Sequence, residues 1–196
     1  MQREIIDIPQ RIGTKQHIAN IAQALLERIP LEEISAKLLI ECAGVSKSTF
    51  YRHFKDVQDV VLWIYISGVN DAVKDCRSFE SLTLGAYRFM AEHRSFIQRA
   101  LSYQQQNNLS DYILSRSRAD ILNYARKALG EEKITRPLEK SIDFFCAGCR
   151  SVWISWVSGG MEEEPEEVVR GIMENMPPRL RPILADPFET IFKKVP

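Results

Sequence analysis

Three consecutive residues, Gly44-Val45-Ser46, constrain the fold of this chain more than any other feature. Gly44 can take the left-handed conformation that ends a helix, and Ser46 can cap the first amides of the next one. Val45 occupies the position before that cap, where it can clasp Phe50 four residues into the helix. A stop and a start this close together force two short helices to meet at a tight turn. The first is expected from an N-cap at Ser35 through Ala36 to Ala43, the second from Lys47 to Phe54. Such a pair, covering about 35–54, is a helix-turn-helix candidate.

The rest of the chain reads as all-α, because apolar residues recur at helical rather than alternating spacing. Gly13-Thr14 opens a first helix with Thr14 as its cap; Ile18, Ile21, Ala22 and Leu25 form its stripe and Pro30 its stop. Asp56 and Asp59 begin a fourth helix, strongly apolar and reaching about Cys76. Further helices are expected near Ser81–His93, Arg94–Gln106, Leu109–Leu129 and Pro137–Ser158, and one more behind the acidic turn Glu162–Glu167 with Pro165 at its start. Five of the nine prolines fall in the last 20 residues, so the tail from Pro177 is expected to be wrapped or partly mobile with at most a short helix. The domains read as 1–55, a three-helix helix-turn-helix module, and 56–196, a larger helical body.

The helix from Lys47 can be resolved by face at about 100° per residue. Phe50 and Phe54 lie within about 40° of each other and must point into the small core. The opposite face is Ser48, Thr49 and Arg52, with Lys47, Tyr51 and His53 on the flanks. From Gly44 to Lys55 there are three cations, one histidine and no acid. Hydroxyls and cations arranged this way suit base edges in the centre of a groove and phosphates on either side.

Global charge says nothing of this. Lysine plus arginine total 26 and aspartate plus glutamate 26 across 196 residues, which argues against a chain that coats nucleic acid or membrane by sheer positive excess. The uncharged stretch from Val60 to Asn70, which no other exceeds, is far shorter than the roughly 20 residues a membrane span needs. Four cysteines, Cys42, Cys76, Cys146 and Cys149, are too few and uneven for a disulfide framework, and the charged N-terminus is no signal peptide, so a cytoplasmic location is the default. Cys146 and Cys149 have C-x-x-C spacing, but they sit mid-helix without a second pair, and His17, His53 and His93 are scattered. They read as buried structural thiols, with no metal or cofactor expected.

The run from Ser35 to Lys55, above all Ala43-Gly44-Val45-Ser46-Lys47-Ser48-Thr49-Phe50-Tyr51-Arg52-His53-Phe54, resembles the helix-turn-helix of the TetR family of bacterial transcriptional regulators. Phe144-Phe145-Cys146-Ala147-Gly148, Trp156 and the stretch from Gly159 to Glu167 resemble, more weakly, the C-terminal domain of a branch that includes dihydroxyacetone-kinase operon regulators. One departure is the apolar Leu38-Leu39-Ile40 of the second helix, where the family often has a polar residue at Leu38; that helix is expected to pack more tightly or to face the second domain. The resemblance implies a homodimer built on the last two large helices and an effector pocket enclosed by the middle ones.

On this reading Lys47, Tyr51, His53 and Lys55 contact phosphates of double-stranded operator DNA, and Ser48, Thr49 and Arg52 lie nearest the bases. Ser46 belongs to the same surface, Ser35 and Lys37 reach the backbone from the second helix, and Thr14 or Lys15 can add a contact from the first. Trp63, Tyr87, Phe89, Phe96, Tyr103, Tyr112 and Trp153 serve equally as plain core or as lining for a small-molecule effector of apolar or aromatic character. Ala147, Ser151 and Ser155 recur every four residues on the Pro137–Ser158 helix, where small side chains let a partner helix approach; Trp156, Val169 and Ile172 complete the expected dimer interface.

The function that emerges is a homodimeric repressor released from its operator by an effector. The alternatives are a TetR-like activator or co-regulator controlled by a partner protein, and a helical ligand-binding protein without DNA binding. An enzyme is disfavoured, because no phosphate-cradling glycine loop, nucleophile elbow or clustered acid–base set is present in the sequence, and no catalytic residue is expected.

Overall fold

The structure is a computed structural model that describes residues 13–103 and 108–184. Among the described residues it is all helical. In chain order the α-helices are α1 (Thr14–Leu26), α2 (Ala36–Ala43), α3 (Lys47–His53), α4 (Val57–Ala72), α5 (Phe79–Glu92), α6 (Arg94–Ser102), α7 (Leu109–Leu129), α8 (Arg136–Ser158), α9 (Pro165–Glu174) and α10 (Arg181–Leu184). Short 3-10 turns occupy Leu31–Glu33 and Glu131–Lys133. No helix among the described residues is long and apolar enough to cross a membrane.

Packing separates the chain into two compact units. Among the described residues, one holds those up to Ser67 together with those from Ser95 to Leu109, the other Gly68–Arg94 together with those from Ser110 onward. In the first unit α1 packs on α2, and the core gathers Ile18, Ile21, Leu26, Leu39, Phe50 and Phe54, each at most 2% exposed. Burying side chains of this size stabilises by about 1.5–3 kcal/mol apiece. Of the apolar run in α2 only Leu39 is buried; Leu38 and Ile40 are half-buried. Within the same unit α6 is tied to the end of α1, where Arg99 donates Nη2–H to the Glu27 carbonyl at 3.3 Å.

In the second unit α5 packs on α9, and α8 packs on α9 as well. The Trp153 indole donates to Met90 Sδ at 2.9 Å, Tyr87 lies against Trp156 with ring centroids 5.2 Å apart, and the Trp156 indole donates to the Glu163 carbonyl at 2.8 Å. Gly68 lies so close to Phe89 that a Cβ there would overlap the ring at 2.2 Å. At the end of α8 the chain turns through Gly160 (φ 90°) and Met161 (φ 54°), and Arg94 holds the Met161 carbonyl at 3.0 Å.

Several helix ends differ from the sequence expectation. Thr14 is the first helical residue of α1 and not its cap; Gly13 holds the cap position without a side-chain bond, and α1 ends at Leu26, ahead of Pro30. The fourth helix stops at Ala72. The fifth starts at Phe79, because Ser78 and Ser81 cap each other reciprocally: each accepts the other's amide through its hydroxyl at 3.1 Å. The sixth ends at Ser102, and the expected continuation to Gln106 enters residues 104–107, outside the described residues. Of the proline-rich tail, Arg181–Leu184 forms the short helix, and 185–196 lie outside the described residues.

Candidate nucleic-acid interface

The turn between α2 and α3 is built as its three residues dictate. Ser35 accepts the Leu38 amide at 3.1 Å and starts α2; Gly44 ends it in the left-handed conformation at φ 63° and ψ 28°; Ser46 accepts the Thr49 amide at 3.1 Å and starts α3. Val45 is half-buried and Phe50 is buried. From the other side His17 reaches the Ala43 carbonyl at 3.0 Å, so α1 holds the last turn of α2 in place. After α3, Asp56 accepts the Asp59 amide at 2.8 Å and Asp59 accepts the Lys55 amide at 3.0 Å, which fixes the backbone where α4 begins.

This frame sorts the side chains of α3. Phe50 and Phe54 point inward with ring centroids 6.1 Å apart. Lys47, Ser48 and Arg52 are exposed, Thr49 and His53 are half-buried, and Tyr51 is 49% exposed with its ring edge-on to Phe50 at 5.3 Å. Ser35, Lys37, Ser46 and Lys55 are also exposed. Neither Lys47 nor Arg52 has an ion-pair partner among the described residues. The outcome is an outward surface of hydroxyls and uncommitted cations, which can donate to phosphates and base edges alike.

Lys15 is held by aromatic rings of the first unit. Its ammonium lies 5.6 Å from the ring centroids of both Phe54 and Trp63, which are themselves edge-on at 6.1 Å. A half-buried cation over two aromatic faces seals the edge of the first unit's core. A groove of about 430 Å³ in this unit is lined by Tyr51 and Lys55 together with Leu31, Ile34, Val57 and Tyr103.

The seven aromatic residues offered as core or pocket are divided between the units. Trp63, Phe96 and Tyr103 belong to the first, and Tyr87, Phe89, Tyr112 and Trp153 to the second. Phe96, Tyr87, Phe89 and Trp153 are buried; Trp63, Tyr103 and Tyr112 are half-buried. Tyr103 lines the groove just described, and burial pushes the Tyr112 phenol upward. Tyr112 shares α7 with a half-buried Arg116–Asp120 pair at 2.8 Å, where burial holds the Asp120 carboxyl above its ordinary value despite the arginine.

The expected dimer residues fall on opposite faces. Ala147, Ser151 and Ser155 are exposed along α8, whereas Trp156, Val169 and Ile172 are 7%, 2% and 5% exposed and are covered by their own chain. Their own unit already covers these three almost completely, so they serve as core of the second unit. The outward stripe contains instead Phe144, 78% exposed, with Gly148 and Val152. Their spacing of four interleaves with that of Ala147, Ser151 and Ser155, and that shared period was the available signal in the sequence.

Cys146 is buried and Cys149 half-buried on α8. Burial pushes the Cys146 thiol up to about 11 and the Cys149 thiol to about 12, which keeps both protonated near neutrality and poor as nucleophiles or ligands. Among the described residues no group of three or more histidine, cysteine or acidic side chains converges to hold a metal ion.

Two comparisons place the chain. The model of the C-terminal region of TetR transcriptional regulators matches residues 78–177, half of the sequence. Among solved structures, the dihydroxyacetone kinase operon activator DhaS is similar, with a TM-score of 0.60 and 16% identity over 89% of this chain and 98% of that one. A TetR-family transcriptional regulator from Streptomyces coelicolor is similar at a TM-score of 0.53 and 16% identity, over 89% of this chain and 91% of that one. No match is found among curated protein sequences. With an all-helical body, a capped helix-turn-helix ahead of it and the family's C-terminal region matched over half its length, the chain belongs to the TetR family of transcriptional regulators.

Proposed function

We propose that this regulator binds operator DNA as a homodimer, with α3 in the major groove and α2 crossing the backbone, and represses transcription until a small-molecule effector releases it. One observation carries the DNA assignment: the outward side of α3 presents Ser48, Thr49, Arg52 and Lys47 with no acid between Gly44 and Lys55, while Phe50 and Phe54 anchor it from behind. Arg52, Ser48 and Thr49 read bases; Lys47, Tyr51, His53 and Lys55 position the helix on phosphates, helped by Ser35 and Lys37 from α2.

A two-fold dimer supports this reading because one short helix makes few contacts, and two of them can meet half-sites about 34–36 Å apart. The exposed stripe of Phe144, Gly148, Ser151, Val152 and Ser155 on α8 is the surface offered to the second copy. Release is a population shift: an effector that binds better to a dimer whose recognition helices no longer match successive major grooves lowers operator affinity by that difference in free energy. The effector is of apolar or aromatic character.

A second reading, activation of transcription, is favoured by the likeness to DhaS, whose name describes an operon activator. The deciding experiment is a gel-shift series on the promoter DNA flanking the protein's own gene at 50–200 mM salt. DNA binding through several phosphates gives an affinity that falls by orders of magnitude across this range, on the order of 10³ or more for six contacts; a weak interaction indifferent to salt overturns it. Transcript levels in a deletion strain then separate repression from activation.

A further inference from the structure

Phe144 stands 78% exposed on α8. It lines a groove of about 520 Å³ with Met176, Pro177 and Pro178, to which Lys140 of α8 and Glu174 at the end of α9 add one charge of each sign. All six belong to the second unit. Lys140 is loosely held: its ammonium lies 3.4 Å from Asp143, whose carboxylate already accepts from Arg118 at 2.6 Å. An exposed phenylalanine among apolar neighbours, with charges at the border, is a surface built to be covered.

The chain carries a segment of matching chemistry beside it. Arg181 lines the same groove and donates to the carbonyls of Met176 and Glu174 at 3.3 and 3.2 Å, which fixes the start of α10 at the edge of the groove. The described residues end one turn later, at Leu184. The sequence that follows has the signals of an amphipathic helix: Asp186 suits an N-cap, Pro187 the first helical position and Glu189 the third. Phe188, Ile191, Phe192 and Val195 then recur at i, i+3, i+4 and i+7. At about 100° per residue, Glu189 borders this stripe on one side and Lys194 on the other, so the segment offers an acid for Lys140 and a base for Glu174.

We propose that residues 186–195 dock as a helix in this groove of their own chain, with Phe188, Ile191 and Phe192 against Phe144, Glu189 beside Lys140 and Lys194 beside Glu174. The mode is an amphipathic helix laid in an apolar groove. Reach favours the same chain: Phe188 lies four residues past Leu184, at most about 14 Å away even when fully extended. A tether this short gives an effective concentration on the order of millimolar, which populates a docking too weak to form between separate molecules. The docked segment covers Phe144 and leaves Gly148, Ser151, Val152 and Ser155 of the outward stripe to the proposed second copy. None of this depends on DNA binding.

The test uses the full chain. Ser141, a half-buried residue of the same groove, is replaced as a reporter by Ser141→Cys, and the exposed Cys42 serves as internal reference. Adding Phe188→Asp and Phe192→Asp should speed iodoacetamide labelling of the reporter about tenfold, as expected for docking in about nine molecules of ten. The labelling rate of Cys42 and the sedimentation coefficient should stay the same. In a Cys42→Ser background, a bifunctional maleimide should then join Ser141→Cys to Thr190→Cys within one chain, leaving a single-chain band on a denaturing gel. Reporter rates that are equal with and without the two aspartates overturn the docking: fast in both, nothing covers the groove; slow in both, a second copy does. A linked two-chain product overturns the assignment to the same chain and gives the groove to the partner's segment.

Discussion

His17 donates its Nε2–H to the carbonyl of Ala43 across 3.0 Å, linking the first turn of α1 to the residue that precedes the Gly44 turn. A carbonyl at a helix C-terminus has no partner within its own helix, so this bond both satisfies it and sets the angle at which α2 enters the turn. His17→Ala should destabilise the first unit by about 1 kcal/mol, the net worth of an ordinary hydrogen bond. For a chain of this length that is a fall in Tm of about 2–4 °C. DNA affinity should drop with it, because α3 takes its direction from that turn. Unchanged melting and unchanged affinity would show that the bond carries nothing.

On the proposed reading, Arg52 and Lys55 separate base reading from phosphate positioning. Both are exposed, but Arg52 lies on the outward face of α3, while Lys55 follows it on a backbone fixed by Asp59. Arg52→Ala should cost about 1–3 kcal/mol on the preferred sequence and relax the preference. Lys55→Ala should weaken all sequences alike and reduce the salt slope by about 1. Competition binding with specific and random duplexes measures both. Equal losses on the two duplexes for Arg52→Ala would remove it from the bases.

The thiols of α8 give a pH prediction. Burial is the main cause that lifts Cys146 to about 11 and Cys149 to about 12 from an ordinary 9.0, and it does so by penalising the thiolate. Because their folded values lie above their unfolded ones, these groups add stability that is complete below the ordinary thiol value and is lost as pH rises from 9 toward 12. Alkylation by iodoacetamide should label the exposed Cys42 first, and the slow labelling of Cys146 and Cys149 should still be accelerating at pH 10. Rapid labelling of all four at neutral pH would contradict this.

Local signals were legible in the sequence and partner-dependent ones were not. Ser35, Gly44, Ser46, Phe50 and Phe54 declare themselves because each acts on residues within one turn, and all five sit as their chemistry requires. The cap of α5 was ambiguous for a physical reason: Ser78 and Ser81 are both good caps, and each bonds the other, so the helix begins at the earlier one. The ring contacts of Lys15 were not legible, because Phe54 and Trp63, which hold it, arrive much later in the chain. Trp156, Val169 and Ile172 show the same limit from the other side. Helical spacing reveals that a residue is covered, but whether its own chain or a second copy covers it depends on tertiary packing, and here the chain itself does.

The exposed stripe of α8 yields the sharpest test of assembly. A Cβ added to Gly148 meets nothing within 4 Å, so the single chain has open space there, and replacing a mid-helix glycine with a good helix former favours the helix by roughly 0.5–1 kcal/mol. Gly148→Leu should therefore leave α8 intact or stabilised in the isolated subunit. Flanked by Phe144 and Val152 at one turn on either side, the same leucine stands where the proposed dimer brings a second copy close. Sedimentation velocity should show the wild type at twice the 22.6 kDa of one chain and Gly148→Leu at that mass, with unchanged helical content by circular dichroism. Operator affinity should fall far more than any phosphate contact can explain, since a monomer reaches one half-site where the dimer reaches two. A Gly148→Leu protein that stays dimeric places the contact elsewhere, and a wild type that sediments as a monomer at tens of micromolar removes the dimer.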